Sequence, residues 1–208
     1  KTILEILFLR VKKSKLLDKI VVACSTNKKD QKIIDICRKN NIDFFKGSEN
    51  NVLDRYYKCA KKFKAKNIVR ITSDCPFTDA KLLDDMIKLF DKKKVDYASN
   101  NNPPTFPDGL DLEIFTFKSL RKAWINSKEN SEKEHVTPYI INNDDFKKTN
   151  LFENKDYSNL RLTLDEKVDL DVIKKIFKAF KNNFNISYKN IIRLYKKDKT
   201  LFKSNMNL

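Results

Sequence analysis

Apolar positions recur along the chain in two alternating rhythms. Residues 3–13 carry them at helical spacing, which predicts an amphipathic helix. Ile20-Val21-Val22-Ala23-Cys24 is a short β-rich run that ends in the polar Ser25-Thr26-Asn27, the pattern of a buried strand. Residues 29–39 place Ile33, Ile34 and Cys37 on one helical face, and Asp43-Phe44-Phe45 is a brief strand closed by Gly47. Val52, Tyr56, Cys59 and Phe63 predict a helix over 51–63, and residues 67–72 the next strand. Pro76 stops regular structure, Asp79 can cap a helix running to about residue 91, and 96–100 reads as another strand.

Strands and helices alternating at this spacing predict an α/β layer with a mostly parallel sheet. Ligands of such sheets bind beyond the carboxyl ends of the strands. Ser25 to Asn27, Gly47 to Glu49, Ser73-Asp74 and Ser99 to Asn101 all fall at those ends, so the topology gathers them along one edge. The second half is less regular. Residues 102–110 form a loop fixed by three prolines and Gly109, and 112–117 alternates as a strand. Helices are predicted at 118–127 and 132–142, strands at 147–152 and 160–164, and helices at 168–181 and 187–197. No repeat, low-complexity linker or domain boundary interrupts the chain, which predicts one domain over 1–208.

Composition narrows the classes. No apolar run approaches the ~20 residues that span a bilayer, which excludes a membrane helix. The net charge is +16, from 37 lysines and 7 arginines against 28 acidic residues. The lysines are spread over the whole chain with no Arg-rich block, so they read as solvated faces and not as a nucleic-acid surface. The basic balance still attracts a polyanionic small substrate. Cys24, Cys37, Cys59 and Cys75 show no C-x-x-C spacing, and only one His exists to complete a zinc site. With no signal peptide legible after Lys1, a reducing cytoplasm is the expected home.

Gly47 and Gly109 are the only glycines, so the chain has no G-x-G-x-x-G and no P-loop. The lone His135 heads no triad and reads as a structural or substrate-contact residue. The carboxylates say more. Asp74 and Asp165 each follow a predicted strand, and two acidic groups at neighbouring strand ends suit a hard cation such as Mg²⁺. Helix N-capping is the competing reading for both. Asp108 and Asp111 lie on the proline-bounded loop, where specificity residues often sit. Arg70 and Arg161 adjoin the two aspartates and can contact phosphate or carboxylate groups, or pair within the fold.

Six stretches in order carry a family resemblance: residues 19–27, 47–57, 69–76, 105–113, 134–140 and 160–166. They include Val69-Arg70-Ile71-Thr72-Ser73-Asp74-Cys75-Pro76, Asp108-Gly109-Leu110-Asp111-Leu112-Glu113 and Arg161-Leu162-Thr163-Leu164-Asp165. Together they resemble the sugar-activating cytidylyltransferases, in particular the branch of the spore coat polysaccharide biosynthesis protein SpsF, related to acylneuraminate and octulosonate cytidylyltransferases. The resemblance implies a three-layer α/β/α Rossmann-like nucleotide-diphospho-sugar transferase fold. It implies CTP-dependent cytidylyl transfer to a sugar or sugar acid in surface polysaccharide biosynthesis, with release of pyrophosphate. Asp74 and Asp165 match the family's catalytic metal-binding aspartates, with Mg²⁺ as the ion. Ser25, Thr26, Arg55, Arg70 and Ser73 fall where relatives contact the nucleotide. Asp108, Gly109, Asp111, Glu113, His135 and Arg161 fall near the sugar pocket.

Relatives of this kind often form homodimers, although no stretch here marks an interface. They also begin with a strand and a Gly-rich segment that wraps the triphosphate through backbone N–H groups and positive charge. Lys1 aligns after that segment, so the expectation for the 208 residues is a sheet with an unpaired edge and weakened or absent catalysis. The alternatives are a non-catalytic nucleotide- or sugar-binding relative and a glycosyltransferase of the same fold.

Overall fold

Short polar caps and apolar stripes set the elements. In the computed structural model, which describes residues 1–205, helix α1 (Ile3–Val11) starts at Thr2 with a capping box: Glu5 N–H donates to the Thr2 hydroxyl and Thr2 N–H to the Glu5 carboxylate. The last three residues of the expected domain lie outside the described residues. Strand β1 (Val21–Ser25), helix α2 (Gln31–Lys39), strand β2 (Asp43–Gly47) and helix α3 (Val52–Lys62) follow, with Asn51 capping α3. Next come β3 (Asn67–Arg70), α4 (Ala80–Lys93) and β4 (Tyr97–Ser99). Asp79 caps α4 through one carboxylate oxygen and accepts Tyr188 N–H with the other.

The second half supplies β5 (Glu113–Thr116), α5 (Phe117–Asn126), α6 (Asn130–His135), α7 (Pro138–Ile141) and β6 (Lys148–Asn150). Helices α8 (Lys167–Ala179) and α9 (Tyr188–Lys197) close the fold, followed by a 3₁₀ segment at Lys199–Asn205.

Strands β1 and β2 pair in parallel, and β3-β5-β4-β6 form a second sheet with no ladder to the first among the described residues. Only β5 runs against its neighbours: it is antiparallel to β3 and β4, and β6 is parallel to β4. The two-residue period of a strand then puts apolar groups on both faces. Ala98 and Ile114 pack with Phe77, Leu83, Met86 and Ile176 on one face. Tyr97 and Phe115 pack with Leu53, Tyr57, Leu120 and Ile140 on the other. Helices therefore cover both sides, which is the expected three-layer α/β/α arrangement. Among the described residues no helix is long and apolar enough to cross a membrane.

The reversal of β5 matters for the site. Its register pairs Arg70 with Glu113 and Glu113 with Ser99, so the start of β5 lies beside the ends of β3 and β4. The loop that precedes β5 is thereby delivered to the carboxyl edge of its neighbours.

Two predicted elements differ. The helix over 132–142 is broken at Val136, whose φ of 74° and ψ of −51° form a tight turn closed by Thr137 N–H to the His135 carbonyl (2.9 Å). Pro138 lacks the N–H a continuous helix needs there, and the Thr137 hydroxyl is drawn to Glu113 instead. The strand over 160–164 is an extended segment with a single bridge, Asp108 to Arg161. Its N–H groups are taken by loops: Leu162 N–H donates to the Asp108 carbonyl (2.8 Å) and Leu164 N–H to the Asp74 carbonyl (2.9 Å).

Candidate active site

At the carboxyl ends of β1 and β2, Thr26 N–H donates to the Gly47 carbonyl (2.9 Å), which holds the two strand ends together. Ser25 is buried and its hydroxyl accepts from Asn27 N–H, whereas Thr26 is exposed. The Arg55 side chain rises from α3 and lies across Gly47. A Cβ at Gly47 would sit 2.7 Å from Arg55 Cγ, so only glycine leaves room. Arg55 Nη1 donates to the Ser48 carbonyl (2.7 Å), and its buried Nε has no partner among the described residues. Ser25, Thr26 and Arg55, predicted together at a nucleotide, are thus gathered at one strand edge.

The carboxylates form a second group. Asp74 follows β3 in a turn with the exposed Ser73. Its backbone carbonyl is bonded to Leu164 N–H, which places Asp165 next along the chain from that contact. Asp108 joins from the other side through its bridge and its ion pair to Arg161 (Nη1–Oδ2 3.4 Å). Gly109 makes this approach feasible. Its φ is +89°, and an added Cβ would lie 2.5 Å from Thr163 N, so any other residue would be both strained and in collision. Asn100, at the end of β4, clamps the backbone on either side of Asp111: its amide donates to the Leu110 carbonyl (2.9 Å) and accepts Leu112 N–H (2.8 Å). Leu110 and Leu112 are fully buried, while Asp111 between them is only partly so.

Electrostatics reflect this crowding. Burial raises the Asp111 carboxyl from its ordinary 3.8 to about 6, helped by the negative charges of Asp108, Glu113 and Asp74. Burial also raises Asp108, against the pull of Arg161. Burial pushes the Cys75 thiol well up, so it stays protonated beside Thr72 and Asp74.

Arg70 and Glu113 pair with each other. Glu113 is 4 % exposed, and its carboxylate accepts from Arg70 Nη1 (2.6 Å), Tyr97 Oη (2.7 Å) and Thr137 Oγ1 (2.6 Å). These bonds occupy the groups that were expected to reach substrate. For Arg70 the intramolecular pair is the arrangement formed, and its buried Nε is left without a partner among the described residues. His135 is exposed at the end of α6, one residue before the strained Val136 turn. Arg161 is likewise paired, with Asp108, Asp165 and Asp169.

Among the described residues, no group of three or more His, Cys, Asp or Glu is arranged to hold a metal ion. Mg²⁺ takes one or two carboxylates and completes its shell with water and substrate phosphates, so Asp74 and Asp165 are of the chemistry it accepts. The Asp74 carboxylate accepts only a weak thiol contact from Cys75 (3.4 Å), and Asp165 is about half exposed. A cavity of about 600 Å³ between α1 and α8 is lined by none of these residues.

Such a carboxylate edge on a three-layer sheet can be compared with known proteins. The cytidylyltransferase family profile matches residues 1–208. The chain belongs to the cytidylyltransferase family. This nucleotidyltransferase is 39 % identical over 209 residues to an uncharacterized protein of Methanocaldococcus jannaschii, covering 99 % of the chain and 84 % of that protein. It is 32 % identical over 200 residues to the spore coat polysaccharide biosynthesis protein SpsF of Bacillus subtilis, covering 92 % and 82 %. The solved structure of a cytidylyltransferase from Leptospira borgpetersenii superposes with a TM-score of 0.92 at 33 % identity, over 97 % of this cytidylyltransferase and 86 % of that chain.

Sequence reasoning left Asp169 out. It is wholly buried at the third position of α8. The D-x-x-x-D spacing from Asp165 was a visible signal, but it reads first as a capping box at the helix start.

Proposed function

We propose that this cytidylyltransferase moves the cytidylyl group of CTP onto a sugar or sugar acid and releases pyrophosphate, in the assembly of a surface polysaccharide. The observation that carries the reading is the 2.9 Å bond between Leu164 N–H and the Asp74 carbonyl, which brings two carboxylate-bearing segments from distant sequence to one edge. Similarity to SpsF supports the pathway, and family membership supports CTP as the donor.

In this reading a sugar phosphate oxygen, or a sugar hydroxyl that gives its proton to solvent, attacks the α-phosphorus in line, and the bond to the β-phosphate bridging oxygen breaks. Pyrophosphate leaves with the electron pair, and no covalent enzyme intermediate forms. The chain's contribution is positioning and charge neutralisation. Asp74 and Asp165 would hold Mg²⁺, which would supply neutralisation of charge on the phosphates. Ser25, Thr26, Ser73 and Arg55 lie at the nucleotide end of the edge, and Asp108 and Asp111 accept hydrogen bonds from sugar hydroxyls. Arg161 holds the loop bearing Asp108 against Asp165.

The test is pyrophosphate release from CTP, with ATP and GTP as controls, across a panel of sugars, sugar acids and sugar 1-phosphates. CTP-selective, Mg²⁺-dependent release is expected for one acceptor class. Asp74→Asn is expected to lower kcat at least ~100-fold, the scale set by losing one group that stabilises transition-state charge. Undiminished turnover in Asp74→Asn would remove the metal assignment.

A further inference from the structure

We propose that Asp169 is the positioning residue of Asp165, and that it keeps Asp165 available to a divalent cation by occupying Arg161. The inference rests on the assignment of Asp165 as a metal ligand.

Five donors converge on the Asp169 carboxylate. Arg161 donates through Nε and Nη2, both at 3.0 Å. The backbone N–H groups of Asp165 (3.0 Å) and Glu166 (2.8 Å) donate to Oδ2, and the Asn205 amide to Oδ1 (2.9 Å). A capping box needs only the Glu166 bond. The other four fix something besides the helix start. The Asp165 N–H bond sets the backbone of the ligand itself. The Arg161 pair sets the guanidinium, whose Nη2 also reaches Asp165 Oδ2 at 2.7 Å. Asp165 is therefore tied to Asp169 twice, once through its backbone and once through the shared guanidinium.

The charge order explains the direction of the effect. Asp169 is 0 % exposed and Asp165 49 %. A buried, bidentate carboxylate is the stronger partner for a guanidinium, and the exposed one is the weaker. Asp169 thus takes the main share of Arg161 and leaves Asp165 able to turn one oxygen to a cation. With Asp169 neutral, Arg161 closes on Asp165 and competes with the metal. The C-terminal 3₁₀ segment takes part, because Asn205 also donates to the Arg161 carbonyl (3.3 Å).

The probe is Mn²⁺ with CTP, and the readout is the factor by which Mn²⁺ tightens CTP binding to the 208-residue chain in calorimetry. Metal-free CTP affinity is measured beside it. Outer partners that orient a metal ligand typically contribute 10- to 100-fold to metal affinity. Asp169→Asn is expected to cut the Mn²⁺-dependent factor about tenfold or more and leave metal-free CTP affinity within about twofold. The Asp165→Asn/Asp169→Asn double variant is expected to lose no more than Asp165→Asn alone, because the two act through one ligand.

If Asp165→Asn itself leaves the factor unchanged, the metal assignment fails. If Asp165→Asn abolishes it and Asp169→Asn does not reduce it, the positioning role fails. Should Asp169→Asn not fold, Asn205→Ala decides. A two- to threefold loss of the factor at unchanged metal-free affinity supports the role, and an unchanged factor overturns it.

Discussion

At the scale of single residues, Asp111 shows a site whose demands conflict with stability. Its carboxyl lies between two fully buried leucines and close to other negative charges, and its pKa rises to about 6 from 3.8. The folded chain therefore holds this proton more tightly than the unfolded chain. That contribution is present at low pH and is lost as pH rises from about 4 through 6. At pH 7 the ionised carboxylate opposes folding by on the order of 1–3 kcal/mol. Asp111→Asn is expected to be more stable than the parent by that amount at pH 7 in urea unfolding, with the gap closing as pH falls below 5. A variant less stable at neutral pH would show that Asp111 is stabilised by contacts that favour its charge. Glu113, two residues on, accepts from three donors, Arg70, Tyr97 and Thr137.

At the scale of elements, the site depends on one segment that is neither helix nor strand. Residues 160–164 read as a strand because Leu160, Leu162 and Leu164 alternate with polar positions. The alternation is real, and it buries Leu160 and Leu162. Partner choice is long-range, however, and the segment found the Asp108 loop and the Asp74 turn in place of a strand. The helices and strands of the first half were legible because their apolar period and caps are local: Asp79 caps the helix that the pattern placed after it. The broken helix at Val136 and the pairing of Arg70 with Glu113 were not legible, since both depend on a contact 24 or 43 residues away. The strand ends that gather Ser25, Gly47, Asp74 and Asn100 were readable from topology alone. Gly109 tests the segment directly. Gly109→Ala is expected to destabilise the fold by about 2 kcal/mol or more, because its Cβ meets backbone and its φ is positive. Thermal unfolding would show this, together with weakened Mg²⁺-dependent CTP binding. An unchanged midpoint would mean that the Asp108 loop yields without cost.

At the scale of the whole molecule, a chain of net charge +16 concentrates carboxylates on one edge. Asp74, Asp108, Asp111, Asp165 and Asp169 come from three segments brought together by one reversed strand and one extended return. In the proposed reading a basic surface draws a triphosphate in, and the acidic edge needs a cation between itself and the phosphates. A calorimetric titration of CTP into the 208-residue chain, with and without Mg²⁺, with ATP and GTP as controls and Asp74→Asn beside the parent, tests that need. The expected result is CTP-selective binding that strengthens with Mg²⁺ and loses that strengthening in Asp74→Asn. Binding that is indifferent to Mg²⁺ or to the base, or an Asp74→Asn chain that responds to Mg²⁺ as the parent does, would contradict it.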